Sequence, residues 1–245
     1  MMGPNDSVLL AEQEIFRRGY INQWGIVTIR PLDVDQGNGL LQTGLWYCIK
    51  ASVGELKKVY CDQIESISRA CKHASTPMFW RSPLKKNPDD TQKQDDYFGW
   101  LAALYFAKNP LANDFFQYAE SVGWFLNIQK PGDKTDWNYY FERFPGFRVF
   151  AKMCARSTNP TLRISLGEQI EIALDIFWSA FHIDESDGCM RDYCLISVAR
   201  RESLLAGLAS LLWFHRVRKK YGTTGKAFAD YFKDEAHPLC IGDWR

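Results

Sequence analysis

The chain has no basic stretch leading into an apolar run at its start. No apolar run anywhere approaches the ~20 residues that cross a bilayer. A soluble, non-secreted protein is expected, cytoplasmic or, if its source is viral, part of a virion, with no membrane partner. An excess of one charge is also missing. Thirty basic residues stand against 29 acidic ones, and a net charge of +1 gives no global field to draw nucleic acid or an acidic membrane. The seven cysteines are odd in number and contain no C-x-x-C, which argues against a disulfide framework and a zinc ribbon alike. His73, His182, His215 and His237 lie far apart, outside any metal-binding spacing, and no G-x-S-x-G turn marks a nucleophile. Gly37-Asn38-Gly39 has no phosphate loop around it, so no metal and no cofactor is called for. Strand signals are nearly absent. Only Ile26 to Ile29 reads as extended, and Pro31 ends it.

What the chain does have is aromatic residues, 15% of the total with nine tryptophans, which fill cores and also stack on sugars and bases. Helical patterns follow one another. A short helix over Val8 to Arg18 comes first, and Asn38-Gly39 then opens one with an apolar face at Leu41, Leu45, Cys48 and Ile49. Glu55 to Lys72 is striped like a surface helix, whereas Asp96 to Ala107 has no charge after its first residue and belongs inside. Further helices are expected over Leu111 to Ile128, Phe147 to Arg156 and Ser165 to His182. In the last of these Ile170, Ala173, Leu174, Phe177 and Phe181 should face inward, with Glu168, Glu171, Asp175 and Ser179 outward. A long helix near Tyr193 to Tyr221 is apolar at its centre. Alternation of inner and outer members predicts an all-α fold of helical hairpins in an (α/α) toroid-like or partial-toroid arrangement. Residues 1–35 form a short extended N-terminal arm, and 36–245 a single helical domain.

Candidate chemistry gathers before the Asp96 helix, where prolines at 77, 83 and 88 keep the chain irregular. Asp95 and Asp96 suit a helix start, where one carboxylate caps free amides and favours the positive end of the dipole. The functional alternative sets one of them over an inner cavity as general acid or base, its proton affinity raised by aromatic surroundings. Asn38, Gln42 and Trp46 share a helix face, and with Trp80, Arg81, Tyr97 and Trp100 they form a candidate carbohydrate-binding set. Arg81 is suited to pair an acidic group there. The same aromatics, with Trp137, Tyr139 and Tyr140, are more often core and hairpin contacts. Asp89 and Asp90 could hold a divalent cation or form a solvated loop.

Asp95, Asp96 and Tyr97 resemble the D-D-aromatic helix start of (α/α)-toroid glycoside hydrolases acting on unsaturated glycuronides. That resemblance implies a catalytic carboxylate that protonates the sugar double bond and activates water, with a glycan as ligand. A second resemblance, to small helical bacteriophage-encoded proteins, covers N-G-L-L at Asn38 to Leu41, R-S-P at Arg81 to Pro83, D-D-Y-x-G at Asp95 to Gly99 and H-P-L at His237 to Leu239. It implies a structural or interaction protein without catalysis, self-associating or assembling in a virion through residues 1–35, with Trp24 to Ile29 docked on a neighbour. The basic run His215 to Lys220 reads as the cationic C-terminal end of a helix closed by Gly222, with nucleic acid a more distant partner.

Overall fold

The computed structural model describes residues 4–28, 30–31, 39–56, 58–80, 83–84, 94–127, 130, 132–135, 140–141, 146–183, 186–232 and 236–244. Within them the chain is all-α, and its only β pairings are isolated bridges such as Ile21 with Val27 and Lys72 with Phe79. After α1 (Pro4–Arg17) come four successive helix pairs: α2 (Gly39–Ser52) with α3 (Lys58–Cys71), α4 (Gln94–Phe106) with α5 (Leu111–Ser121), α6 (Phe147–Arg156) with α7 (Leu166–Phe181), and α8 (Ser186–Glu202) with α9 (Leu204–Tyr221). Short helical turns at Gly225–Phe228, Ala229–Phe232 and Pro238–Cys240 end the described chain.

The first members of the pairs meet one another. Helix α2 lies against α4 and α8, α4 against α6 and α8, and α6 against α8. Helix α2 is buried from Gly39 through Lys50, as its lack of charge before Lys50 requires, while α3 buries only its Ile64, Ile67, Ser68 and Cys71 stripe. For α2 and α3 the inner and outer roles follow polarity. Four inner helices in mutual contact are compatible with a toroid-like arrangement, with the α4–α8 contact filling the middle.

The α2–α4 contact depends on two glycines. Gly44 sits against the backbone of Gly99, and a Cβ on Gly99 would lie 2.5 Å from Leu41 Cα and 2.7 Å from its carbonyl oxygen. Only residues without side chains allow the two backbones to approach so closely.

Residues 4–28 pack on their own chain. Val8, Ala11 and Ile15 are buried, the Val27 amide donates to Thr43 Oγ1 at 2.9 Å, and His237 Nε2 lies 3.2 Å from the Thr28 carbonyl. Helix α1 also supplies Glu12, which receives the ammonium of buried Lys50 and the hydroxyl of Tyr60. That ammonium lies 4.1 Å from the Tyr60 ring centroid and 4.9 Å from that of Trp46, so a carboxylate and two π-faces together compensate a charge removed from water.

Two boundaries and one helix face differ from expectation. The helix expected to reach Ile128 stops at Ser121, because Gly123 and Trp124 take positive φ and turn the chain. The single helix expected over Tyr193 to Tyr221 is two helices. Ser203 leaves helical geometry at φ −146°, and its Oγ accepts the Ala206 amide to start α9.

The third difference concerns α7, where the residues expected inward are mostly exposed and, of those expected outward, only Glu171 is exposed. Ile172, Ile176 and Ala180 are its buried residues, Asp175 is turned toward the interior, and Leu174 and Phe177 are 61% and 47% exposed. Periodicity locates an apolar stripe but does not say what covers it. On α7 the stripe with the larger side chains points away from its own chain.

Candidate functional site

The expected site residues fall into three settings. Asn38 and Arg81 lie outside the described residues, as do Asp89, Asp90, Trp137 and Tyr139. Asp96, Tyr97, Trp100 and Gln42 are wholly buried, and Trp46 and Trp80 nearly so. Phe79 gathers part of this set, taking the edges of Tyr97 and Trp100 at centroid distances of 6.5 and 6.4 Å, while its amide donates to the Tyr97 hydroxyl at 3.3 Å. Tyr97 also stacks on Phe115 at 4.8 Å. Gln42 donates through Nε2 to the Tyr231 hydroxyl at 3.2 Å, and its Oε1 meets no donor among the described residues. These aromatics are built into the core where inner helices meet.

Asp95 has a different environment. Its charge acts on Arg191 of α8, together with Asp192 beside Arg191 and Asp175 from α7. Arg191 reaches Asp192 Oδ1 through Nη2 at 3.3 Å, and its guanidinium lies 5.9 Å from the Phe98 ring centroid. Three carboxylates from three helices thus surround one guanidinium. Burial pulls Arg191 down, and its anionic neighbours more than offset it, so the group is held above its ordinary value.

The acids respond in the opposite sense. Burial raises Asp192 despite Arg191, with the Ser179 hydroxyl and the Trp213 indole beside it opposing the shift. Asp175 is pushed up to about 7, first by burial, then by the charge of Asp192, against the attraction of Arg191. Gly146, at φ 72° before the first turn of α6, is what lets this carboxyl approach, because a Cβ there would lie 2.7 Å from Asp175 Oδ2. The arrangement keeps a carboxyl that exchanges its proton near neutrality beside a fixed cation, chemistry of use to an acid–base site. The same group serves equally well as a structural ion cluster where α4, α7 and α8 meet.

No protein-family model, curated protein or solved structure matches this chain. Its own surface is therefore what points to a function.

The largest departure from an ordinary surface lies on α7 and α9. Leu166, Ile170, Leu174, Phe177, Trp178 and Phe181 are exposed along α7, with Leu204, Leu208 and Leu211 on α9. Between them runs a groove of about 380 Å³ lined entirely by apolar residues, Ile170 to Phe177 on one side and Leu205 to Leu212 on the other. Further along, Ala180, Phe181 and Ile183 lie by Arg216, Lys219 and Lys220, so α7 and α9 run side by side in the same direction. The basic run seals the end of α7. Arg216 Nε donates to the Ala180 carbonyl at 3.3 Å and Lys220 Nζ to that of Ile183 at 2.6 Å, serving the negative end of that neighbouring helix. Arg218 pairs with Asp243, which leaves Lys219 as the outward cation of the run with no bond of its own described, beside exposed His215.

Sequence reasoning missed both features for one reason. Asp175 shares a face with Ile172 and Ile176, at offsets of three and one, but the larger Leu174 and Phe177 dominate the apolar pattern and assign the acid to solvent. The Arg191-Asp192 dipeptide opening the apolar run of α8 was the available signal for a buried ion pair.

Proposed function

We propose that this chain is an interaction protein, a helical building block whose working surface is the α7–α9 face, without catalysis at the Asp95-Asp96 helix start. The observation that carries the reading is the turned amphipathicity of α7. A helix in water hides its large apolar stripe, whereas here the buried side holds an ionisable acid and the outer side holds leucines, phenylalanines and Trp178 at 65% exposure. Side chains of this size leave on the order of 1,000 Å² exposed across the two helices, whereas the largest patch on a typical monomer is ~300–600 Å². Assembly in a virion, toward which the short motif resemblance leans, is one setting for such a surface. The arm over residues 1–35 is a weaker docking element in this reading, because Ile26 and Val27 are already covered by the chain itself.

Replacing Leu174 and Leu208 together by Glu tests this directly. Both are exposed and contribute little to the chain's own core, so helical content by circular dichroism should be unchanged and stability should shift by no more than ~0.5 kcal/mol per site. Binding of a hydrophobic dye to the dissociated chain should fall severalfold. Loss of helix in the double variant would show that the face is folded into its own core and would sink the reading.

A carbohydrate-hydrolysing protein is the second reading, favoured by one observation: Asp95 acts on the same guanidinium, Arg191, as Asp175, an acid that burial pushes up to about 7. Release of sugar from a glycan mixture by the intact chain, abolished in Asp95→Asn, would move it ahead.

A further inference from the structure

We infer that the occupant of the α7–α9 face is a second copy of this chain, related by a two-fold axis across the helices, so that the two copies' helix pairs run antiparallel in a four-helix layer. This rests on the docking reading above and adds its partner.

Three observations point to self-association. The first is size. The on the order of 1,000 Å² offered by this face exceeds the ~800 Å² per partner of a standard stable interface, and its purely aliphatic and aromatic make-up matches permanent homodimers more closely than transient encounters.

The second is shape. A two-fold interface must be complementary to itself, presenting both the projection and the recess that receives it. This face has both: the groove between Ile170–Phe177 and Leu205–Leu212, and flanking ridges at Trp178, Phe181 and Leu211.

The third is charge. The two helices run in the same direction, and the charged side chains give the face an acidic end at the helix starts and a basic end at the helix ends. Glu168 and Glu171 lie in the first turns of α7, and Glu171 is exposed there. His215, Arg216 and Lys219 lie toward the end of α9. Glu168 is already paired with Lys152 at 2.6 Å, which leaves Glu171 as the outward acid. An axis perpendicular to the helices sets the acidic end of each copy against the basic end of the other, whereas an axis along the helices sets like ends together. A face with this polarity therefore selects the antiparallel mate.

Sedimentation equilibrium of the full chain over a hundredfold range of concentration tests the inference. The expected mass is twice 28.3 kDa. It should fall to that of one chain in the Leu174→Glu, Leu208→Glu variant, whose fold is checked by circular dichroism. Glu171→Lys and Lys219→Glu should each weaken association by severalfold, and the two reversals combined should recover most of the loss, since each acid then meets its base with the signs exchanged. A wild-type chain of single mass throughout overturns the second copy as occupant. If that monomer still binds hydrophobic dye at this face, a dye signal lost in the double leucine variant, the docking reading stands with another partner. If it binds none, both fall. A dimer unaffected by either leucine or charge substitutions overturns the assignment to this face.

Discussion

Gly99→Ala should lose at least about 3 kcal/mol of stability, although alanine is intrinsically the better helix former by ~1 kcal/mol. The sign is set by the α2–α4 crossing. The added methyl would meet Leu41 Cα at 2.5 Å and the carbonyl oxygens of Leu41 and Leu40 at 2.7 and 2.9 Å, all of them backbone atoms of a buried helix that no rotamer change can move. Relief requires α2 and α4 to separate, which opens gaps around Leu101, Leu45 and their neighbours, and both costs add. Folded domains hold only ~5–15 kcal/mol in reserve, so such a loss is a large share of the total. For a chain of this size it lowers the melting midpoint by roughly 6–12 °C. Gly167→Ala is the control. That glycine lies on the exposed first turn of α7 with only Ser165 Oγ within 4.0 Å of a built Cβ, and its replacement should be neutral or stabilising. Denaturant melts of the two variants decide the matter. A Gly99→Ala protein as stable as wild type would mean that the two helices do not cross as closely as described.

Stability should fall as pH rises from about 4 to about 7, and Asp175 should be the main cause. Its folded value of about 7 lies above the ordinary 3.8, so the folded state holds a proton that the unfolded state has already released across that interval. The contribution is therefore fully present below pH 4, is lost progressively as pH rises through the folded value, and is level above it. A shift of this size corresponds to an upper bound of about 4 kcal/mol, reduced by whatever relaxation admits water to the carboxyl. Asp192 is raised in the same direction, so part of the slope survives substitution of Asp175 alone. Asp175→Asn keeps the shape against Gly146 and removes the titration. Urea melts at pH 5 and pH 8 should differ markedly for wild type and much less for this variant. Equal slopes in the two proteins would place the carboxyl in water, outside the cluster around Arg191.

The inner and outer roles were legible for the first two pairs, where α2 lacks charge before Lys50, α4 lacks it after Asp96, and α3 is striped. They were less legible for α6 and α8, inner helices that carry Arg148, Lys152 and Arg156, and Arg191, Asp192, Arg200 and Arg201. Leu40 to Ile49 and Tyr97 to Leu104 cannot sit at a surface, and Lys58 to Cys71 cannot sit in a core. The Ser203 break had a signal in the sequence, since Arg200-Arg201-Glu202 interrupts the apolar pattern and Ser203 stands directly before Leu204 and Leu205 as an N-cap does, but no glycine or proline marks the spot. The candidate site was readable only in part. Asp95 was singled out as a capping or catalytic carboxylate, and its charge acts on Arg191 of α8. Its companions Asp175 and Arg191 come from 80 and 96 positions further along, a distance at which single-sequence periodicity carries no information. The α7 face failed for a related reason: an apolar stripe is written identically whether it covers its own chain or a neighbour's.

The central claim, that this stripe is the surface on which two copies of the chain meet, is tested most directly by hydroxyl-radical footprinting of Leu174, Phe177 and Trp178 in the intact chain as it is diluted. Oxidation of these three should be strongly suppressed at high protein concentration and should climb to match exposed Leu9 and Phe16 of α1 once the partner is diluted away. Oxidation that is already at the level of Leu9 at the highest concentration, and flat on dilution, would contradict the account.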